Sequence, residues 1–455
     1  MESKEPGMQS IEATPAKGET ETIEKIESEP NPSENIIIDK ATNRRLLWMI
    51  SRRILVIQVI TYFCQSLDKG VLNYASIMGI KTDAKLVGQE YSWLGTILYI
   101  GILVGEYPQN LLLQKLPLAK TLAVNVFIWG REEQSVLNSI WYCMSGVQLM
   151  IGGLLAFGVS HFTDGPIKNW QLFFLVLGLF TCAWSFCIGI LLPDSPMSAK
   201  CFSDADRKLM IERVRHNETG IENKEYKKYQ IIETIQDPFV WCCVLLITIA
   251  NLVIGGLGVF SNLIIQQFGF SILQTQLLNI AQGAWSILVM IGSGWACERF
   301  QQTCFIMILY AIPAIIGTIV MLVVTPTSSN AGGMLIAFYC TQFFPAQGNM
   351  IISLITRNIA GQTKKGFTMT MVFIGWSVGN LIAPQIFQDS DAPRYLHGFL
   401  AHIVVYAVYV CLVIATRFVL MARNRAKTQP GGEISHDLAF QDLTDRENPN
   451  FRYVY

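Results

Sequence analysis

The chain has 455 residues, of which 51% are apolar and 15% charged; 34 basic and 34 acidic residues cancel to a net charge of zero. That balance removes the basic surface that a nucleic-acid partner would need, and equally any steering toward an acidic polymer substrate. The sparse charges fall in loops and tails between long apolar runs, the pattern of a polytopic membrane protein.

Residues 1–45 are rich in Glu, Ser, Thr and Pro and poor in aromatics, so they are expected to form a disordered cytosolic tail. No cleavable signal peptide is read there, because the first apolar run begins only after Arg53. Crossing ~30 Å of hydrocarbon takes ~20 apolar residues in a helix. Ten stretches meet that length: Ile54–Ile80, Tyr91–Leu113, Ser139–Phe162, Leu172–Leu192, Phe239–Ile265, Leu277–Cys297, Thr303–Thr325, Ala331–Ile355, Gly366–Phe387 and Leu396–Val419. An eleventh, Leu118–Gly130, would make a helix of roughly 20 Å and is too short to cross.

Lys and Arg near span ends set the orientation. Arg44, Arg45, Arg52 and Arg53, then Lys115 and Lys120, then Arg357, Lys364 and Lys365 mark one side, and Arg423, Arg425 and Lys427 follow the last span. The alternate loops are poorer, with Lys81 and Lys85, Lys168 and Arg394. If the short stub does not cross, all basic loops share one side and both termini face the cytosol. A single crossing at the stub would invert everything after Arg131. About forty further residues between Gly130 and Arg131 would complete the stub and one more helix, giving twelve spans.

The expected domains are an incomplete N-terminal bundle over 46–193, a cytosolic linker over 194–238, a six-helix C-terminal bundle over 239–421 and a polar cytosolic tail over 422–455. Within the linker, Ser203 is placed to cap a short helix whose apolar face carries Leu209, Met210 and Val214. Cysteines lie mostly inside the spans, where they act as small hydrophobes and not as a disulfide scaffold. The chain has no phosphate-binding loop, metal-spaced histidine pair or nucleophile elbow, so neither an enzyme nor a cofactor is expected.

Ionisable groups at membrane depth are costly and tend to face a cavity or a partner. Asp68 and Lys69 fall near the middle of the first span, about 100° apart around the helix, so they do not simply pair with each other. Two roles fit: Lys69 attracts a substrate carboxylate and Asp68 carries a proton, or both tie neighbouring helices together. Glu106, nearer the cytosolic end of the second span, reads as snorkelling or structural before it reads as substrate-binding. Asn73, Asn251, Asn262, Gln347, Asn349 and Asn380 fit a pathway lining or interhelical bonds equally well. Among the aromatics Trp93, Tyr99, Phe260, Trp285, Phe343, Phe344 and Trp376, packing is the commoner role and ligand stacking the alternative. The candidate set is Asp68, Lys69, Asn73, Glu106, Phe260, Asn262, Asn349, Trp376 and Asn380.

Six-plus-six helices around a charged linker suggest two halves rocking about a midplane site. More specific strings occur in order: Leu67-Asp68-Lys69 with Leu72-Asn73-Tyr74-Ala75, Gly105-Glu106-Tyr107-Pro108, Pro193-Asp194-Ser195-Pro196, Asn217-Glu218-Thr219-Gly220-Ile221, Asp237-Pro238, Gly379-Asn380 with Pro384, and Asp391-Ala392-Pro393 with Tyr395. From Arg45 to Arg423 the chain resembles the fungal allantoate permease (anion:cation symporter) family of the major facilitator superfamily. The resemblance implies an all-α membrane protein with the major facilitator fold, two helical-bundle halves, here with about ten full spans plus the stub. It also implies proton-coupled uptake, usually across the plasma membrane, of a small carboxylated nitrogenous metabolite or vitamin of the allantoate, ureidosuccinate, nicotinate or pantothenate class. The partners implied are that small molecule, H+ and the lipid bilayer. Two departures from the family stand out: the end of its third helix and all of its fourth are absent, and Ala281 stands where a proline usually follows Leu277-Leu278. The alternative reading is a truncated non-transporting isoform or a nutrient-sensing membrane protein.

Overall fold

The structure, a computed structural model, describes residues 40–50, 52, 56–115, 131–162, 165–191, 203, 227–427 and 442–455. The first half contains α1 (Lys40–Ile50), α2 (Val56–Ile77), α3 (Glu90–Lys115), α4 (Arg131–Ser160) and α5 (Asn169–Leu191). A short α6 (Lys228–Ile235) closes the linker. The second half contains α7 (Pro238–Gln267), α8 (Ile272–Phe300), α9 (Thr303–Val323), α10 (Ala331–Thr341), α11 (Ala346–Asn358), α12 (Gln362–Ile386) and α13 (Leu396–Lys427). No strand occurs among the described residues.

Among the described residues nine continuous helical rods and one broken pair, α10 with α11, stand where ten spans are expected, and local chemistry fixes several of their ends. Asp237 caps α7, accepting from the Phe239 amide at 2.9 Å, with Pro238 in the first turn where a missing N–H costs nothing. At α8, Ser271 and Gln274 exchange reciprocal bonds of 3.2 and 2.9 Å, closing a capping box. Seven rods are long and apolar enough to cross a membrane by themselves. Asp68, Lys69 and Asn73 dilute the apolar content of α2, which is not among the seven.

The eighth expected span is not one helix. It breaks into α10 and α11 across turns at Gln342–Pro345, where Pro345 has no N–H to continue the ladder. The stub at 118–130 and the helix expected after Ser203 lie outside the described residues.

The chain ends α2 and α13 and the linker helix α6 share one end of the bundle, here termed the linker end; the opposite is the distal end. The second half packs Phe239, Cys243, Leu246, Phe344, Leu354, Tyr406, Tyr409, Val413 and Leu420 into one apolar core. Among the described residues the separate core of the first half consists of Leu67, Tyr74, Ala156, Phe173 and Leu177, with Tyr74 edge-on to Phe173 and bonded to the Leu149 carbonyl.

Candidate functional site

The halves meet along two seams. Where α4 crosses α8, a Cβ at Gly146 would stand 2.7 Å from the Gly283 carbonyl and one at Gly153 would stand 2.6 Å from the Gln276 carbonyl. Only glycine permits so close a backbone approach. The second seam joins α3 to α12: Thr96 Oγ1 donates to the Leu381 carbonyl at 3.0 Å, Gln385 Nε2 donates to Thr96 Oγ1 at 3.0 Å, and Gly95 faces Pro384.

Hydrogen bonds between the halves cluster toward the distal end. Asn73 Nδ2 on α2 donates to Ser261 Oγ on α7 at 2.7 Å, and Asn73 Oδ1 accepts from the Asn262 amide at 3.0 Å. Asn262 returns a bond from its side chain to the Asn73 carbonyl, and Asn279 on α8 donates to Asn262 Oδ1 at 2.8 Å. Tyr91 donates to the Val259 carbonyl at 3.0 Å, Gln276 to Ser160 at 2.7 Å, and a Lys81–Asp389 ion pair of 2.8 Å bridges the rim. The distal end is closed.

One turn nearer the linker end, Lys69 reaches across from α2 and its Nζ stands 5.0 Å from the centre of the Trp376 ring on α12. Tyr99 of α3 meets Trp376 edge-on at 5.6 Å, and Phe373 stacks on it at 5.5 Å. All four side chains are partly exposed, unlike the core around them. Among the described residues Lys69 makes no ion pair. A cation–π contact supplies ~0.5–2 kcal/mol. An ion pair near 4 Å supplies about 4 kcal/mol at an effective dielectric constant near 20. The Coulomb attraction of a carboxylate at Lys69 is thus larger than what the Trp376 ring supplies, before the desolvation of both charges is subtracted.

Asp68 points the other way, its carboxylate accepting from Thr181 Oγ1 of α5 at 3.1 Å, and it remains exposed. The two neighbours do not pair, as the helix geometry predicts. Asn380 Nδ2 donates to Asn251 Oδ1 at 3.0 Å and fixes α12 on α7 one turn from Trp376. Asn73 and Asn262 belong to the distal closure and not to the Lys69 site. Phe260 is buried, stacked on Phe387 at 5.0 Å and edge-on to Tyr91 and Tyr395, so it packs the core and lines nothing. Asn349 is buried on α11, and the Glu106 side chain falls outside the described residues.

Three groups on α4 and α8 escaped the sequence reading. Gln148 lies against Gly70, beside Lys69, and its buried Nε2 has no hydrogen-bond partner among the described residues. Gln282 Oε1 and Ser286 Oγ on α8 are in the same condition. A buried donor or acceptor without a partner costs ~1–3 kcal/mol, which a bound solute or water offsets. A lone glutamine in an apolar span carries no periodic signal, and only the crossing of the helices singles it out.

The sequence profile of the Major Facilitator Superfamily matches residues 118–384, across both halves and the linker. The chain belongs to the Major Facilitator Superfamily. Consistent with this, an uncharacterized transporter of Schizosaccharomyces pombe is 33% identical over 90% of this chain and 87% of its own length. A thiamine pathway transporter of Saccharomyces cerevisiae is 31% identical over 87% of this chain and 83% of its own. The allantoate permease of the same yeast is 27% identical over 93% and 88%. A bacterial homologue of the human lysosomal transporter Spinster, solved inward-facing and unoccupied, shares the fold with a TM-score of 0.52 at 12% identity, over 80% of this chain and 95% of its own.

As a facilitator it is a multi-pass membrane protein and a secondary transporter, and alternating access needs a gate at each end, the distal contacts being the candidate for one of them. Asn73 offers the test. Asn73→Ala removes two inter-half bonds, those to Ser261 Oγ and from the Asn262 amide, and keeps the one its backbone carbonyl accepts, at ~1–3 kcal/mol. A cysteine placed at Ile77, in the distal cleft beside Ser160 and Ile272, is expected to react about tenfold faster with an impermeant thiol reagent in that variant. Equal reactivity with and without Asn73→Ala would remove Asn73 from the gate.

Proposed function

We propose that this facilitator imports a small organic anion, with Lys69 holding its carboxylate and Trp376, Tyr99 and Phe373 packing its planar part. The observation that carries the reading is Lys69 itself, a cation at membrane depth without a carboxylate partner among the described residues and set against an aromatic wall from the opposite half. The named activity of the allantoate relative supports a small carboxylated nitrogenous metabolite, and that of the thiamine pathway relative a small nitrogenous one. The linker end is the cytosolic side, in keeping with its basic loops, so both termini are cytosolic and the closed distal end faces outward at the plasma membrane.

Asp68 is the proposed proton carrier. Asp68→Asn is expected to abolish uptake driven by an inward proton gradient while leaving the amount of protein in the membrane unchanged; gradient-driven uptake at the parental rate would remove Asp68 from coupling. The substrate class is tested by counterflow in proteoliposomes with labelled allantoate, nicotinate and pantothenate, neutral amides of the same acids serving as controls. Exchange of the amides and not the acids would sink the anion reading.

A second reading has its own support. Alignment with another S. pombe transporter runs over 507 positions and takes in all 455 residues here, so at least 52 positions of that relative have no counterpart in this chain. Asp68 is also exposed at membrane depth. These support a chain shorter than a complete transporter by about two helices, lacking them between Gly130 and Arg131. Restoring that segment is then expected to raise both membrane delivery and uptake; delivery and uptake unaltered by the insertion would favour the ten-span form as a sensing or non-transporting protein.

A further inference from the structure

The last fourteen residues, Asp442–Tyr455, do not trail away from α13 but fold back across the linker end of the second half. Asp445 is fully buried there. Its Oδ1 lies 2.7 Å from Lys364 Nζ at the start of α12, and its Oδ2 lies 3.7 Å from Arg423 of α13 and accepts from Tyr453 Oη at 2.8 Å. Lys364 is itself fully buried and pairs also with Glu233 of α6 at 2.8 Å and Asp237 of α7 at 2.9 Å. Arg423 closes the circuit by pairing with Asp237.

Around this hub the segment makes paired contacts with four helices. Asp442 takes Lys227 Nζ, at the entry to α6, at 2.9 Å and accepts from the Gln362 amide at 2.8 Å. Asn424 and the Tyr453 backbone exchange bonds of 2.8 and 2.9 Å, and Asn358 and the Val454 backbone do the same at 2.7 Å each. Tyr455 lies under Arg417 at 4.9 Å. Backbone bonds of this kind are not solvated surface charges; they seat the segment in register.

We propose that Asp442–Tyr455 is a strap that pins the end of the interdomain linker to the second half, with Asp445 as its pin, so that α6, α7, α12 and α13 move as one body while the halves rock. The charges explain why a short segment suffices. Lys364 and Arg423 are buried cations, and breaking one partner of such a buried set is far costlier than losing an exposed pair. Burial alone would raise the Asp237 carboxyl, but the Arg423 hydrogen bond and the Lys364 and Arg423 charges outweigh it and hold Asp237 below the ordinary carboxylate range. A depressed carboxylate stabilises the fold above its unfolded value and ceases to do so as pH falls through the folded one, so the hub stands intact at neutral pH.

The strap holds the Lys227 side chain through Asp442, which permits a trypsin test on the full chain in membranes opened to the linker side. Asp445→Asn is expected to speed trypsin cleavage at Lys227 by about tenfold or more, at unchanged membrane abundance. Deletion of 442–455 should do at least as much. A cleavage rate equal to that of the parent in both variants overturns the proposal. If Asp445→Asn fails to accumulate, Tyr453→Phe removes only one hydrogen bond to the pin and serves in its place; cleavage about threefold faster supports the strap, and an unchanged rate overturns it.

Discussion

Lys69→Gln is expected to lower uptake by about a hundredfold, in whichever form of the chain carries uptake, with the amount in the membrane unchanged. The size follows from what glutamine lacks. It keeps most of the volume and a donor at the head of the side chain, so the packing against Trp376 survives, but it offers a substrate carboxylate no charge in a medium where one ion pair supplies about 4 kcal/mol. Lys69→Arg is the informative companion. It retains the charge but replaces a compact ammonium with a planar fork, so it should recover binding of the anion without full turnover. Uptake at the parental level in Lys69→Gln, measured beside a neutral analogue, would end the assignment of Lys69 to the substrate.

The second large effect concerns the α4–α8 seam. Gly283→Val places a branched side chain where even a Cβ would run into the Gly146 carbonyl and the Met150 side chain. Backbone cannot retreat as a flexible side chain can, so the helices must separate, at a cost of ~1–3 kcal/mol from overpacking. Distal closure loses that much, and the population moves toward the open distal gate by about tenfold to a hundredfold. Thiol labelling at an engineered Ile77→Cys reports the shift, and uptake falls because closure is one half of the cycle. Gly332→Ala, at a glycine where an added Cβ would meet nothing within 4 Å, is the matched control and should change neither readout. Labelling that does not respond to Gly283→Val would mean that the seam is not part of the gate.

The sequence made the architecture readable because hydrocarbon imposes a length on every crossing, and nine of the ten apolar runs of that length recur as single rods. It also singled out Lys69, Asp68 and Trp376, since a charge in an apolar span needs a reason and a tryptophan is large. What it could not supply is which residues face each other from opposite halves. Asn73 and Ser261 are separated by 188 positions, and no periodicity links them, so the sequence cannot show that Asn73 and Asn262 bond the two halves together. Phe260 misleads for a related reason: a phenylalanine that stacks on Phe387 and one that lines a cavity look alike until the neighbouring helix is placed. The break at Gln342–Pro345 is hidden because apolar residues continue on both sides of it. The strap is hidden because a polar segment stripped of its seat has the composition of a solvated tail; its order comes from Lys364 and Arg423, which lie 81 and 22 positions before Asp445.

The apolar core of the second half has a consequence for how the protein is made. Closed at one end by the hub of Lys364, Asp237 and Asp445, that half contains within itself contacts that hold it. Tyr91 of the first half is buried in the same core. Synthesis delivers Tyr91 before the helices that cover it. It must wait in the bilayer until they arrive, and that interval is when quality control in the membrane has its best opportunity to remove the chain.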